Sequence, residues 1–133
     1  MAHTTVKAEI GTQRYRVSLD AGSHALVADE PPALGGGGTG PGPFDLVLAG
    51  LAACTAITLR MYAERKELPL GRVGVTLTLG KQGERFSIRR SIEAEGDVTE
   101  AQLARLGEIA ERTPVTLALR DGFYISTTIA RRA

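Results

Sequence analysis

Cysteine is nearly absent from this chain: Cys54 is the only one among 133 residues. An intrachain disulfide is therefore excluded, and with it the class of disulfide-stapled secreted domains. Histidine is scarce too, and His3 and His24 are too few and too scattered to suggest a metal cluster. Net charge is close to nil, +1 from 16 basic and 15 acidic residues, and no basic tail is visible. That balance lacks the electrostatic footprint of a nucleic-acid binder. The first ten residues, MAHTTVKAEI, lack the apolar segment of a secretory signal. The longest near-apolar run, Leu46 to Leu59, is 14 residues and falls short of a membrane span. These absences predict a soluble, cytoplasmic protein with no cofactor, no bound metal, no nucleic acid and no membrane among its partners. The length suits a single domain, residues 1–133, with a real core.

What the chain does have is concentrated between Gly35 and Lys66. Four consecutive glycines, Gly35 to Gly38, lead through Thr39-Gly40-Pro41-Gly42-Pro43 into the most apolar segment. The glycines fit either a flexible linker or a loop that passes close to another backbone or a ligand. No Gly-Lys-Ser/Thr ends the stretch, so it is not a phosphate loop. Pro43 suits the first turn of a helix, and Asp45 places a negative charge at its N-terminal end. Leu46, Val47, Leu48, Leu51, Ala52, Ile57 and Leu59 cover nearly every face of that helix. Such a helix is expected to be buried, by a sheet on one side and another element or subunit on the other. Glu67-Leu68-Pro69 ends it.

The remaining periodicities are short. Val6 to Ile10 alternates, as do Tyr15, Val17 and Leu19, which predicts an N-terminal β hairpin around Gly11. Ala25 to Ala28 suits a third strand, closed by Pro31-Pro32. Val73, Val75, Leu77 and Leu79 define the clearest strand. Its hairpin partner points Phe86, Ile88, Ile92 and Ala94 inward, with Arg90 interrupting the pattern. Thr99 and Gln102 form a capping-box pattern before the stripe Leu103, Leu106, Ile109 and Ala110, and Pro114 sets a boundary near Thr113. Val115 to Leu119 has no clear type. Phe123, Ile125, Thr127 and Ile129 predict a final strand. The order β hairpin, loop, buried helix, β hairpin, amphipathic helix, β is α+β.

Cys54 admits two readings. A lone cysteine among alanines in an apolar helix behaves as a small buried hydrophobe. A reactive thiol needs a nearby cation or hydrogen-bond donors and a path for substrate. Arg60 is six residues on and points off the Cys54 face, so a cation must come from elsewhere. Thr58 lies one turn away and is expected to bond its own backbone. Arg60 and Glu64 are spaced as a weak surface pair, and His24 is expected to face solvent.

Ala28-Asp29-Glu30-Pro31 with the glycine–proline approach that follows, the helix LAGLAACTAITLRMYA from Leu48 to Ala63, Lys66-Glu67-Leu68-Pro69-Leu70, and Ile109-Ala110-Glu111-Arg112-Thr113-Pro114-Val115 together resemble the OsmC/Ohr family. These are osmotically inducible and organic-hydroperoxide-resistance proteins. The resemblance implies an OsmC-like fold, an intertwined homodimer, and a site near the subunit interface. It implies that Cys54 is peroxidatic and becomes a sulfenic acid. A second cysteine would fall at Thr113, and the histidine common after Pro-Val would fall at Thr116; this chain has neither. The activating glutamate would fall near Phe44, where Asp45 is the nearest carboxylate. Arg14 or Arg16 is the candidate for the activating arginine. On this reading an external thiol or dithiol must do the work of the second cysteine on a small hydroperoxide substrate. The alternatives are a dimer that binds a small apolar or acyl-like ligand at its interface, and a structural dimer with an inert Cys54.

Overall fold

The computed structural model describes residues 4–132. His3 lies outside the described residues. The chain forms β1 (Val6–Ile10), β2 (Val17–Ala21), β3 (His24–Ala28), a 3-10 turn at Pro32–Leu34, α1 (Pro43–Arg65), β4 (Leu70–Gln82), β5 (Arg85–Gly96), α2 (Glu100–Ala110) and α3 (Pro114–Asp121). It is an α+β arrangement of two compact units, Met1–Ala49 and Gly50–Ala133, with the division falling inside α1.

In the first unit the three strands form an antiparallel sheet in the order β1-β2-β3. Tyr15 stands outside β2, because Arg14 takes a left-handed φ of 45° and turns the chain just before it. Gly22, with φ 63°, turns β2 into β3 in a left-handed conformation that residues with a side chain seldom adopt. The glycine-rich segment is packed, not a free linker. A Cβ on Gly36 would lie 2.0 Å from the Glu30 carbonyl oxygen, and one on Gly40 2.6 Å from that of Val27. The backbone ties itself together there, with Gly38 N–H donating to Glu30 O at 3.0 Å and Asp29 N–H to Pro41 O at 3.0 Å. Of the two readings of this stretch, the close pass is the observed one.

α1 begins at Pro43 and ends where Glu67 adopts φ 53°, letting Leu68 N–H reach back to Ala63 O at 2.8 Å. The helix is long and apolar enough to cross a membrane by length and composition alone. It is less buried than its composition suggests. Only Leu51, Thr55, Leu59 and Ala63 are buried, a single stripe at four-residue spacing. Val47, Ile57 and Met61 are exposed, so this chain by itself covers one face of the helix.

In the second unit, β4 and β5 form a two-stranded antiparallel ribbon with Val75 opposite Ile92 and Leu79 opposite Ile88. The core joins Leu59 and Ala63 of α1 to Leu70, Leu106 and Ala110, with Val73, Ile92 and Ala94 against them. The capping box at Thr99 and Gln102 starts α2. Register slips between Leu70 and Val73, and the Arg60 guanidinium donates to the Leu70 and Gly71 carbonyls there. Arg60 therefore serves the backbone of β4 instead of Glu64. Phe86 and Ile88 share the inward parity of Ile92 but are 57% and 37% exposed, because the core ends short of the hairpin tip.

Two segments differ from their sequence pattern. Val115 to Leu119 is helical, within α3. The expected final strand is not formed: residues 122–132 enter neither helix nor ladder, and Ile125 and Ile129 are 86% and 97% exposed. Alternation specifies which side chains share a face, but a strand also needs a hydrogen-bonding neighbour.

Candidate functional site

Cys54 is a free, half-buried thiol on α1. It lies one residue before Thr55 of the buried stripe, so helical geometry turns it to the flank of that stripe. Its sulfur has a long contact, 3.9 Å, with the Thr58 hydroxyl. The contact of the Thr58 hydroxyl is thus with the thiol, and the back-bonded hydroxyl on this helix is that of Thr55. Arg60, held by the β4 carbonyls, gives the sulfur no cation.

Thr55, the next residue, is 0% exposed and donates to Leu51 O at 2.7 Å. It also begins a buried polar network that periodicity alone did not resolve. The Arg90 guanidinium enters from β5 and donates from Nη1 to Thr55 Oγ1 (2.9 Å) and Thr116 Oγ1 (3.0 Å). Its Nη2 donates to Ala110 O (2.9 Å) and to Glu111 Oε2 (3.2 Å). Arg90 therefore sits inside, on the face of Ile92. Four acceptors, one of them the Glu111 carboxylate, compensate a charge that is only 11% exposed. An arginine at an inward position of a period-two strand was the signal for such a network.

Thr113 closes the network at the far end. It is 0% exposed, accepts from Thr116 N–H at 3.2 Å as the N-cap of α3, and shares a 2.6 Å hydrogen bond with Thr116 Oγ1. Thr113 is thus joined to Thr55 through Thr116 and Arg90, while Cys54 stands outside that chain of bonds.

The remaining candidates belong to the first unit. Asp45 is exposed, and its Oδ2 accepts from Gly42 N–H at 3.0 Å, which fixes the entry into α1. Arg14 donates to Gly35 O at 3.4 Å and, with Arg16, lines a hollow bordered by Gly35 to Gly37. His24 is exposed on β3. The carboxylate that organises this unit is Asp29, which stands in the first motif of the family resemblance but has no site role there. It is 3% exposed and accepts from Thr39 Oγ1 (2.6 Å), Thr39 N–H (3.1 Å) and Glu30 N–H (2.7 Å). The Thr39 hydroxyl, foremost among these donors, holds the Asp29 carboxyl below the ordinary 3.8.

Residues 35–128 match the family model described as OsmC-like protein. The chain belongs to this family. Among solved structures, the OsmC-like protein from Mycoplasma pneumoniae superposes with a TM-score of 0.75 at 18% identity, over 90% of this chain and 88% of that one, and shows the shared fold. An organic hydroperoxide resistance protein OsmC from Legionella pneumophila is 27% identical, with a TM-score of 0.66 over 90% of each chain. OhrB of Bacillus subtilis, an organic hydroperoxide resistance protein, is 24% identical with a TM-score of 0.61, over 90% of this chain and 91% of that one. No curated protein matches the sequence. Within the OsmC-like family this chain is a one-cysteine member, with a buried threonine network around Thr113.

Proposed function

We propose that this OsmC-like protein reduces organic hydroperoxides at Cys54, with an external thiol completing the cycle. The observation that carries the reading is a free, half-buried thiol on the long helix of a chain 27% identical to an organic hydroperoxide resistance protein. The Cys54 thiolate attacks the outer peroxide oxygen and the O–O bond breaks. The inner oxygen leaves, takes up a proton and departs as an alcohol, and the sulfur is oxidised to a sulfenic acid. One external thiol displaces water from that sulfur, forming a mixed disulfide. A second thiol, or the other arm of a dithiol, releases Cys54 reduced and leaves as the disulfide.

Thr113 supports this division of labour. A hydroxyl cannot form a disulfide, and this one is fully buried and hydrogen-bonded. The reductant must therefore come to Cys54 itself. Arg14 and Arg16 are the candidate cations for the thiolate and Asp45 the candidate carboxylate. The working form is an intertwined homodimer in the cytoplasm. The exposed apolar side of α1 and the unladdered segment 122–132 support the dimer, since both have surface to bury or backbone to pair.

The same exposed helix side favours one second reading, a dimer that binds a small apolar or acyl-like ligand at its interface. Turnover separates the two. Purified protein given cumene hydroperoxide and dithiothreitol is expected to consume peroxide, and Cys54→Ser is expected to stop. Unchanged turnover in Cys54→Ser removes the peroxidase reading.

A further inference from the structure

We infer that the groove between β5 and the α2–α3 corner binds a small organic carboxylate with an apolar body. This site lies within the second unit and goes beyond the proposed reaction, because Cys54 does not line it. The groove has a volume of about 570 Å³, within the range of small-molecule sites. Leu51, Ile88, Ile92 and Leu119 supply its apolar surface. Arg85, Arg90 and Arg120 also line it.

Charge decides the class of occupant. Glu111 is the single carboxylate in the lining, and it is shared: Oε2 faces Arg90 at 3.2 Å and Oε1 faces Arg120 at 3.0 Å. Three guanidiniums against one carboxylate leave an excess of positive charge. Arg90 is spent on the buried network. Arg120 is 53% exposed, and Arg85 makes no salt bridge among the described residues. A guanidinium carries five N–H donors in a planar fork, so both keep donors for a carboxylate. An amine is excluded by sign. A bare inorganic anion would leave the apolar surface unused, whereas a hydrocarbon body would cover it.

The test is titration calorimetry of the full chain with decanoate, decanol and decyltrimethylammonium at one ionic strength. Decanoate is expected to bind best. Arg120→Gln and Arg85→Gln are each expected to weaken it about tenfold, the loss of one charge-assisted contact. Cys54→Ser is expected to bind as the parent does, which separates failure here from failure of the peroxidase reading. Thermal melts of the two glutamine variants establish that they fold. No heat with decanoate, equal affinity for decanol, or indifference to both substitutions overturns the inference. Loss of decanoate binding as the chain is concentrated into dimers also overturns it, and assigns the groove to a second copy.

Discussion

Replacing Arg90 by methionine removes four hydrogen bonds from the centre of the second unit while keeping a long apolar stem. The lost acceptors are Thr55 Oγ1, Thr116 Oγ1, Ala110 O and Glu111 Oε2, at 2.9, 3.0, 2.9 and 3.2 Å. A hydrogen bond to a charged donor contributes about 1.5–3 kcal/mol, so four bonds would set a ceiling well above that of any single contact. Three features bring the figure down. Thr55 keeps its bond to Leu51 O, and Thr116 keeps its bonds to Thr113 Oγ1 and Ala110 O. Glu111 is 62% exposed and returns to water. Methionine also relieves the chain of burying a charge. The net expectation is a loss of about 3 kcal/mol. With a urea slope of about 1.5 kcal/mol/M, the midpoint should fall by about 2 M at fixed protein concentration. Arg90→Lys should fall by less, since an ammonium keeps the charge but not the planar fork. A midpoint for Arg90→Met within about 0.3 M of the parent would refute the claim that this network holds the helices to β5.

Other perturbations probe the rest of the structure. Gly36→Ala should destabilise by about 2 kcal/mol or more, because its Cβ would lie 2.0 Å from Glu30 O; Gly50→Ala, with nothing within 4 Å, should stabilise by about 1 kcal/mol. Paired thermal melts check both, and a reversed order would contradict the packed-loop description. Asp29 titrates below 3.8 when folded, so its contribution is present above that value and is lost as pH falls through the lower folded pKa. Acid unfolding of Asp29→Asn should therefore lack part of the parent's pH dependence in that range. Thr113→Val should cost about 1 kcal/mol through the lost N-cap and leave peroxide turnover unchanged. A fall in turnover at unchanged folded fraction would give Thr113 a chemical part.

Much of this arrangement was legible in residue order. Pro43 and the Glu67-Leu68-Pro69 stop bound α1, and the Thr99–Gln102 box starts α2, because caps and prolines act through local backbone chemistry. The terminal strand was not legible: Phe123 to Ile129 alternates correctly but enters no ladder, and pairing depends on a neighbour that alternation cannot specify. Composition likewise made α1 apolar on all sides without saying which side this chain covers; the buried stripe Leu51, Thr55, Leu59 and Ala63 is set by the packing of α2, β4 and β5. At the site, Cys54 and Thr113 stood out as single residues. Arg90 read as a break in a pattern, since its four partners come from three separate elements. Asp29 and Thr39 both stood in the glycine-loop motif, but their pairing across ten residues was hidden for the same reason.

The most direct measurement of the central claim is the fate of the Cys54 sulfur. The protein is treated with one equivalent of cumene hydroperoxide in the presence of dimedone, and the peptide carrying Cys54 is weighed. The expected result is a dimedone adduct on Cys54, absent without peroxide and suppressed when dithiothreitol is added first. An unmodified Cys54 peptide, with the hydroperoxide still intact in solution, would contradict the assignment of a peroxidatic thiol.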